Sequence, residues 1–154
     1  MAVLPCARGV TIKGLACTSF GAMTQDQRIK HIYEVVVPFL EGKGVHLSEY
    51  GNCAGLGSLI STEKYEQDRD AHALFNIERV ARVYSQILGL VESKATYKSG
   101  SYSLKHQIER GMSEYVANGD VILALLLHGF EARFGKSEEK APVNCEFKVT
   151  FKAG

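Results

Sequence analysis

The sequence predicts an α+β fold that is predominantly helical, with four or five helices and a short antiparallel β element drawn from the terminal segments. Three observations lead there. An apolar stripe at helical spacing runs through residues 74–91. A strict apolar–polar alternation occupies residues 143–152. The longest apolar run, 121–127, is closed by His128 and Gly129, far short of the roughly 20 residues that cross a bilayer. At 154 residues, 45% hydrophobic and 23% charged, with no repeat or linker, the chain suits one globular domain.

Taken in order, Val10 and Ile12 alternate with Thr11 and Lys13 as a short strand. Residues 24–41 predict a helix: Thr24 and Gln27 form a capping-box pattern, and Ile29, Ile32, Val36 and Phe39 or Leu40 recur at helical spacing. Pro38 should kink or end it, and Gly42 and Gly44 supply the stop. Between 45 and 70 the glycines at 51, 55 and 57 break any regular element, with a short helix beginning at 56–60. Residues 70–92 predict the central helix, with Leu74, Ile77, Val80, Ala81, Tyr84, Ile87, Leu88 and Val91 on one face.

A polar connection spans 93–100, after which Ser101 or Ser103 caps a helix reaching Gly111, with a shorter element at 113–117. Asn118-Gly119-Asp120 reads as a turn whose aspartate caps the apolar helix 121–127, the most buried element expected. In the last strand Val143, Cys145, Phe147, Val149 and Phe151 share one face. Its expected partner is the Val10–Ile12 stretch or a second subunit, because an unpaired strand favours dimerisation.

The N-terminus lacks a basic segment followed by an apolar stretch, so no secretory signal is expected. Cys6, Cys17, Cys53 and Cys145 form no CxxC pair and are expected as reduced thiols in a cytoplasmic setting. The net charge of +1 conceals two basic blocks, 1–31 and 94–110, around an acidic middle. Such blocks can share a face, or pair within the fold or across a homo-oligomer.

Residues 94–110 carry the leading functional expectation. Lys94, Tyr97, Lys98, Ser101, Tyr102, Lys105 and Arg110 mix cations, hydroxyls and aromatic rings across a loop and the following helix. Phosphates need such donors, and tyrosines stack on unpaired bases. The expected function is a non-enzymatic binding module contacting nucleic acid or an acidic protein through this surface. A helix-turn-helix is disfavoured because 121–127 is too apolar to read a groove.

Two alternatives belong to other classes. Cys53, in a glycine-rich approach to a helix start, can serve as a nucleophile with His106 as base oriented by Glu109. The string Asn52-Cys53-Ala54-Gly55-Leu56 resembles the nucleophile segment of NlpC/P60-type cysteine peptidases, departing from it at Asn52 and Ala54; the resemblance covers about five residues. It implies a cysteine hydrolase, although that family places its histidine on a strand and no histidine here clearly lies on one. The other alternative is a structural homo-oligomeric assembly subunit. No metal or cofactor is expected: no histidine has zinc-site spacing, Asp68, Asp70 and His72 read as a polar helix entry, and Gly51-x-x-x-Gly55-x-Gly57 lacks the strand–helix setting of a dinucleotide loop.

Overall fold

The computed structural model describes residues 9–53, 60–135 and 143–152. After β1 (Val10–Ile12) and a single 3₁₀ turn, Thr24 opens the first helix with both halves of the capping box, at 2.9 and 3.1 Å. α1 (Gln25–His31) passes through a π-helical turn, Ile32–Val36, into α2 (Val37–Gly42). Pro38 therefore does not end the helix. Its ring would crowd the carbonyl four residues back, and the wider π turn just before it, closed by the Val37 N–H on the Ile32 carbonyl, opens the backbone there.

β2 (Leu47–Ser48) and β3 (Gly51–Asn52) form a tight hairpin around Glu49 and Tyr50. Ser61 caps α3 (Thr62–Asp70), an element the sequence did not announce; the helix start expected at 56–60 lies, apart from Ile60, outside the described residues. The expected central helix is shorter than its stripe. Asn76 caps α4 (Ile77–Ile87) through the Arg79 N–H, and His72 at φ 54° interrupts the chain before it. Leu74 and Val91 are buried from outside the helix, Leu88 is exposed, and the unforeseen Val83 is fully buried.

β4 (Val91–Ser93) and β5 (Ser99–Gly100) precede α5 (Ser101–Met112). Neither expected serine caps α5: the N-cap is Gly100, and the Ser101 hydroxyl accepts from the Cys145 N–H at 3.1 Å. No separate element forms at 113–117; Ser113 closes α5 with a left-handed backbone. α6 (Asn118–Leu127) is buried at every position, as its composition implies, and each large aliphatic side chain contributes about 1.5–3 kcal/mol by burial. Asp120 is its third residue rather than its cap, accepting from the Ala117 N–H at 2.8 Å. α6 packs chiefly against α4, and this pair is the centre of the core.

β6 (Ala132–Phe134), β7 (Cys145–Phe147) and β8 (Val149–Phe151) complete the chain. One antiparallel sheet has the order β1-β6-β7-β5, and β4 pairs with β8 beside it. The alternating C-terminal stretch buries Cys145, Phe147 and Val149, but it divides at Lys148 between two sheets. Its neighbours are β6 on one side and the 91–100 segment on the other, so the expectation of a lone strand seeking β1 or a second subunit is corrected. Both terminal segments do share a sheet, with β6 between them. β6 escaped notice because three residues are too few to display alternation. Among the described residues the sheet edges, β1 and β5, are only three and two residues long, which offers little to a pairing partner.

Gly119 is where the hairpin and α6 approach most closely. A Cβ there would overlap the Ser48 carbonyl oxygen and lie 2.7 Å from the Glu49 Cα. Gly119→Ala is expected to destabilise the protein by about 3 kcal/mol, the upper range for overpacking, as a lowered urea midpoint with an unchanged m-value.

Candidate binding cleft

Five chain segments meet beside the N-terminus of α6. The hairpin turn brings Glu49 and Tyr50, α5 brings Tyr102 and Lys105, the α5–α6 loop brings Tyr115, α6 brings Asn118, and the approach to β7 brings Val143 and Asn144. They surround a cleft of about 290 Å³, near the roughly 300 Å³ at which small-ligand sites begin.

The walls are fixed by backbone. The Asn118 amide donates to the Tyr50 carbonyl at 3.2 Å, the Val143 carbonyl at 3.3 Å and the Asn144 Oδ1 at 3.0 Å. The Gly119 N–H donates to the Glu49 carbonyl, and the Asn52 N–H to the Val143 carbonyl. Gly51, at φ 112°, takes the left-handed region that follows the turn, and a Cβ there would overlap the Val143 carbonyl oxygen.

Behind the cleft, Arg79 ties α4 to α6 and to the hairpin. Its Nε donates to the Asp120 Oδ2, and its Nη2 pairs with Glu49 at 2.9 Å. Burial pushes the Asp120 carboxyl above the usual carboxylate range, with Arg79 and the Ala117 N–H opposing that shift. The buried Asp120 Oδ1 and Asn118 Oδ1 have no partner among the described residues. Lys105 pairs with Glu109 at 2.6 Å, and its ammonium and the Arg79 guanidinium both lie over the Tyr115 ring, 5.2 and 5.1 Å from its centre. Even so, the rings stand open: Tyr50 is 48% exposed, Tyr102 55% and Tyr115 61%.

The residues expected to contact a partner thus separate. Tyr102 and Lys105 line the cleft. Lys98, just before β5, and Arg110, in the last turn of α5, are exposed, while Lys94 pairs with Glu92 at 3.0 Å. Tyr97 belongs to another cluster: its hydroxyl donates to Glu131, and Arg133 and Lys148 lie over its ring. Ser101 is fully buried and bonded to β7, so the structure withdraws it from any contact surface.

Cys53 and His106 are not brought into hydrogen-bond contact. Cys53 is 1% exposed, lies 3.0 Å from the Ser48 hydroxyl and donates to the Gly51 carbonyl at 3.4 Å. Burial pushes its thiol up, opposite to what a nucleophilic thiolate needs. His106 is exposed on α5, with Nδ1 3.4 Å from Glu109 and its ring edge-on to Tyr102. Glu109 is shared with Lys105. Among the described residues no cluster of histidine, cysteine or acidic side chains is arranged to hold a metal ion, and Asp68 and Asp70 engage Lys64 and Arg69.

Sequence reasoning missed Tyr50, Arg79, Tyr115, Asn118 and Asn144. The one available signal was Asn118-Gly119-Asp120, which reads locally as a turn and gives no hint of its distant partners. No known protein family, curated protein or solved structure matches the chain.

Arg79→Leu is expected to lower stability by about 3 kcal/mol, because it leaves the Asp120 charge buried without its partner. Adding Asp120→Asn, which keeps an acceptor for the Ala117 N–H, should recover part of that loss in urea denaturation. His46 supplies a pH signature. Burial lowers its pKa below the ordinary 6.5, and the ring stands edge-on to Tyr65. The unfolded chain therefore takes up a proton first as pH falls through 6.5, and stability should decline below that value. The decline should be shallower in His46→Leu, as measured by urea midpoints across the acidic range.

Proposed function

We propose that this chain is a non-enzymatic binding module that contacts nucleic acid through the tyrosine-lined cleft and the adjoining surface of α5. The observation that carries this reading is the set of three half-exposed rings, Tyr50, Tyr102 and Tyr115, around a cleft with backbone-fixed walls. Exposed tyrosine on a rigid frame offers large contact area at little conformational cost. Lys98, just before β5, and Arg110, in the last turn of α5, add exposed positive charge. No helix of the described residues is long and apolar enough to cross a membrane.

The test is a titration against mixed-sequence oligonucleotides and against polyglutamate at two salt concentrations. Nucleic acid should bind, with affinity falling steeply as salt rises through counterion release. Absence of nucleic-acid binding at low salt sinks the reading, and equal binding of polyglutamate redirects it to an acidic protein partner.

A further inference from the structure

We propose, building on the nucleic-acid reading above, that the cleft accepts an unpaired base of a single strand, stacked against Tyr102, while the strand's phosphates follow α5 between Lys98 and Arg110. The cleft is not built for an anion. Both nearby cations are already matched: Arg79, behind the cleft, by Asp120 and Glu49, and Lys105, in its lining with its side chain 14% exposed, by Glu109. Beside the paired Glu49 and Lys105 and the amides of Asn118 and Asn144, the cleft presents the exposed rings of Tyr50 and Tyr102, the Tyr115 ring being taken up by the two cations. Among the described residues Tyr50, Tyr102 and Tyr115 make no ring contact with one another, and the only ring beside Tyr102 is His106, edge-on at 4.5 Å. A flat, uncharged group suits that surface better than a carboxylate does, which favours a base over an acidic peptide.

Strandedness follows from shape. A duplex keeps its bases stacked inside and presents only edges and backbone. A concave space of about 290 Å³ takes a group inserted into it. Charge lies outside that space. Lys98 and Arg110 are exposed and have no carboxylate partner among the described residues. Lys98 lies just before β5 and Arg110 in the last turn of α5, whose 12 residues span roughly 18 Å at 1.5 Å per residue. The donors of Asn118 are committed to Tyr50, Val143 and Asn144, and its Oδ1 is buried. The cleft therefore holds a base by its face and reads its edge little.

The experiment is a fluorescence titration of labelled oligothymidylate of about ten nucleotides, and of the duplex made by annealing its complement. It uses the intact chain and the variants Tyr102→Ala, Tyr102→Phe and Lys98→Ala/Arg110→Ala, each first shown to melt like the parent. The single strand should bind at least about tenfold more tightly than the duplex, and Tyr102→Ala should weaken it by about tenfold while Tyr102→Phe leaves it within about twofold. The double variant should reduce the salt dependence by about two phosphate contacts. Salt-dependent binding that is equal for both forms and indifferent to Tyr102→Ala overturns the base pocket but leaves the broader nucleic-acid reading standing. No binding of either form at low salt overturns both.

Discussion

Three consecutive residues at the start of α6 organise the molecule. Asn118 holds the hairpin turn and the approach to β7, Gly119 lets the hairpin backbone lie directly on the helix, and Asp120 anchors Arg79 from α4. The contacts are crowded together: a Cβ at Gly119 would overlap the hairpin backbone at Ser48, and one at Gly51 would lie 2.6 Å from the Asn118 amide nitrogen. Asp120 tolerates full burial only because Arg79 and the Ala117 N–H meet one of its oxygens. An apolar helix could bury itself in many orientations. These polar contacts select one, the role in which buried polar groups are best attested.

The same constraint explains why a cleft exists. Asn118 and Gly119 hold the hairpin backbone and the 143–144 segment in place on one side of the space, and α5 borders it on the other. The tyrosines lean in from separate elements without packing together. Most nearby charge is cancelled locally, by Glu109 for Lys105 and by Glu49 and Asp120 for Arg79. Of these carboxylates only Glu49 comes from the acidic middle of the sequence; Glu109 lies within the second basic block and Asp120 in α6.

Legibility in the sequence followed the range of the interaction concerned. The Thr24–Gln27 box, the buried run of α6 and the alternation of 143–152 were readable because their determinants lie within a few residues. Boundaries failed where a tertiary contact intervened. Ser101 gives its hydroxyl to β7 rather than to a cap, and Leu74 and Val91 extend the apolar stripe from outside the helix. Of the seven residues singled out in the basic neighbourhood, Tyr102 and Lys105 line the cleft, whereas Ser101 is buried and Tyr97 lies under Arg133 and Lys148. Tyr50, Tyr115 and Asn118 could not be grouped with them, since nothing local announces contacts across 60 or more residues such as that between Asn118 and Tyr50.

The division of the C-terminal stretch at Lys148 has a consequence for how the protein opens. β7 belongs to the four-stranded sheet and β8 to the pair with β4, yet one continuous backbone serves both. The 91–100 segment crosses with it, bonding on each side of the break through the Lys94 N–H to the Lys148 carbonyl and the Lys98 N–H to the Phe147 carbonyl. Neither sheet can fray from this end without disturbing the other. Amide protons of Phe147 and Phe151 are therefore expected to exchange as one cooperative unit despite lying in different sheets.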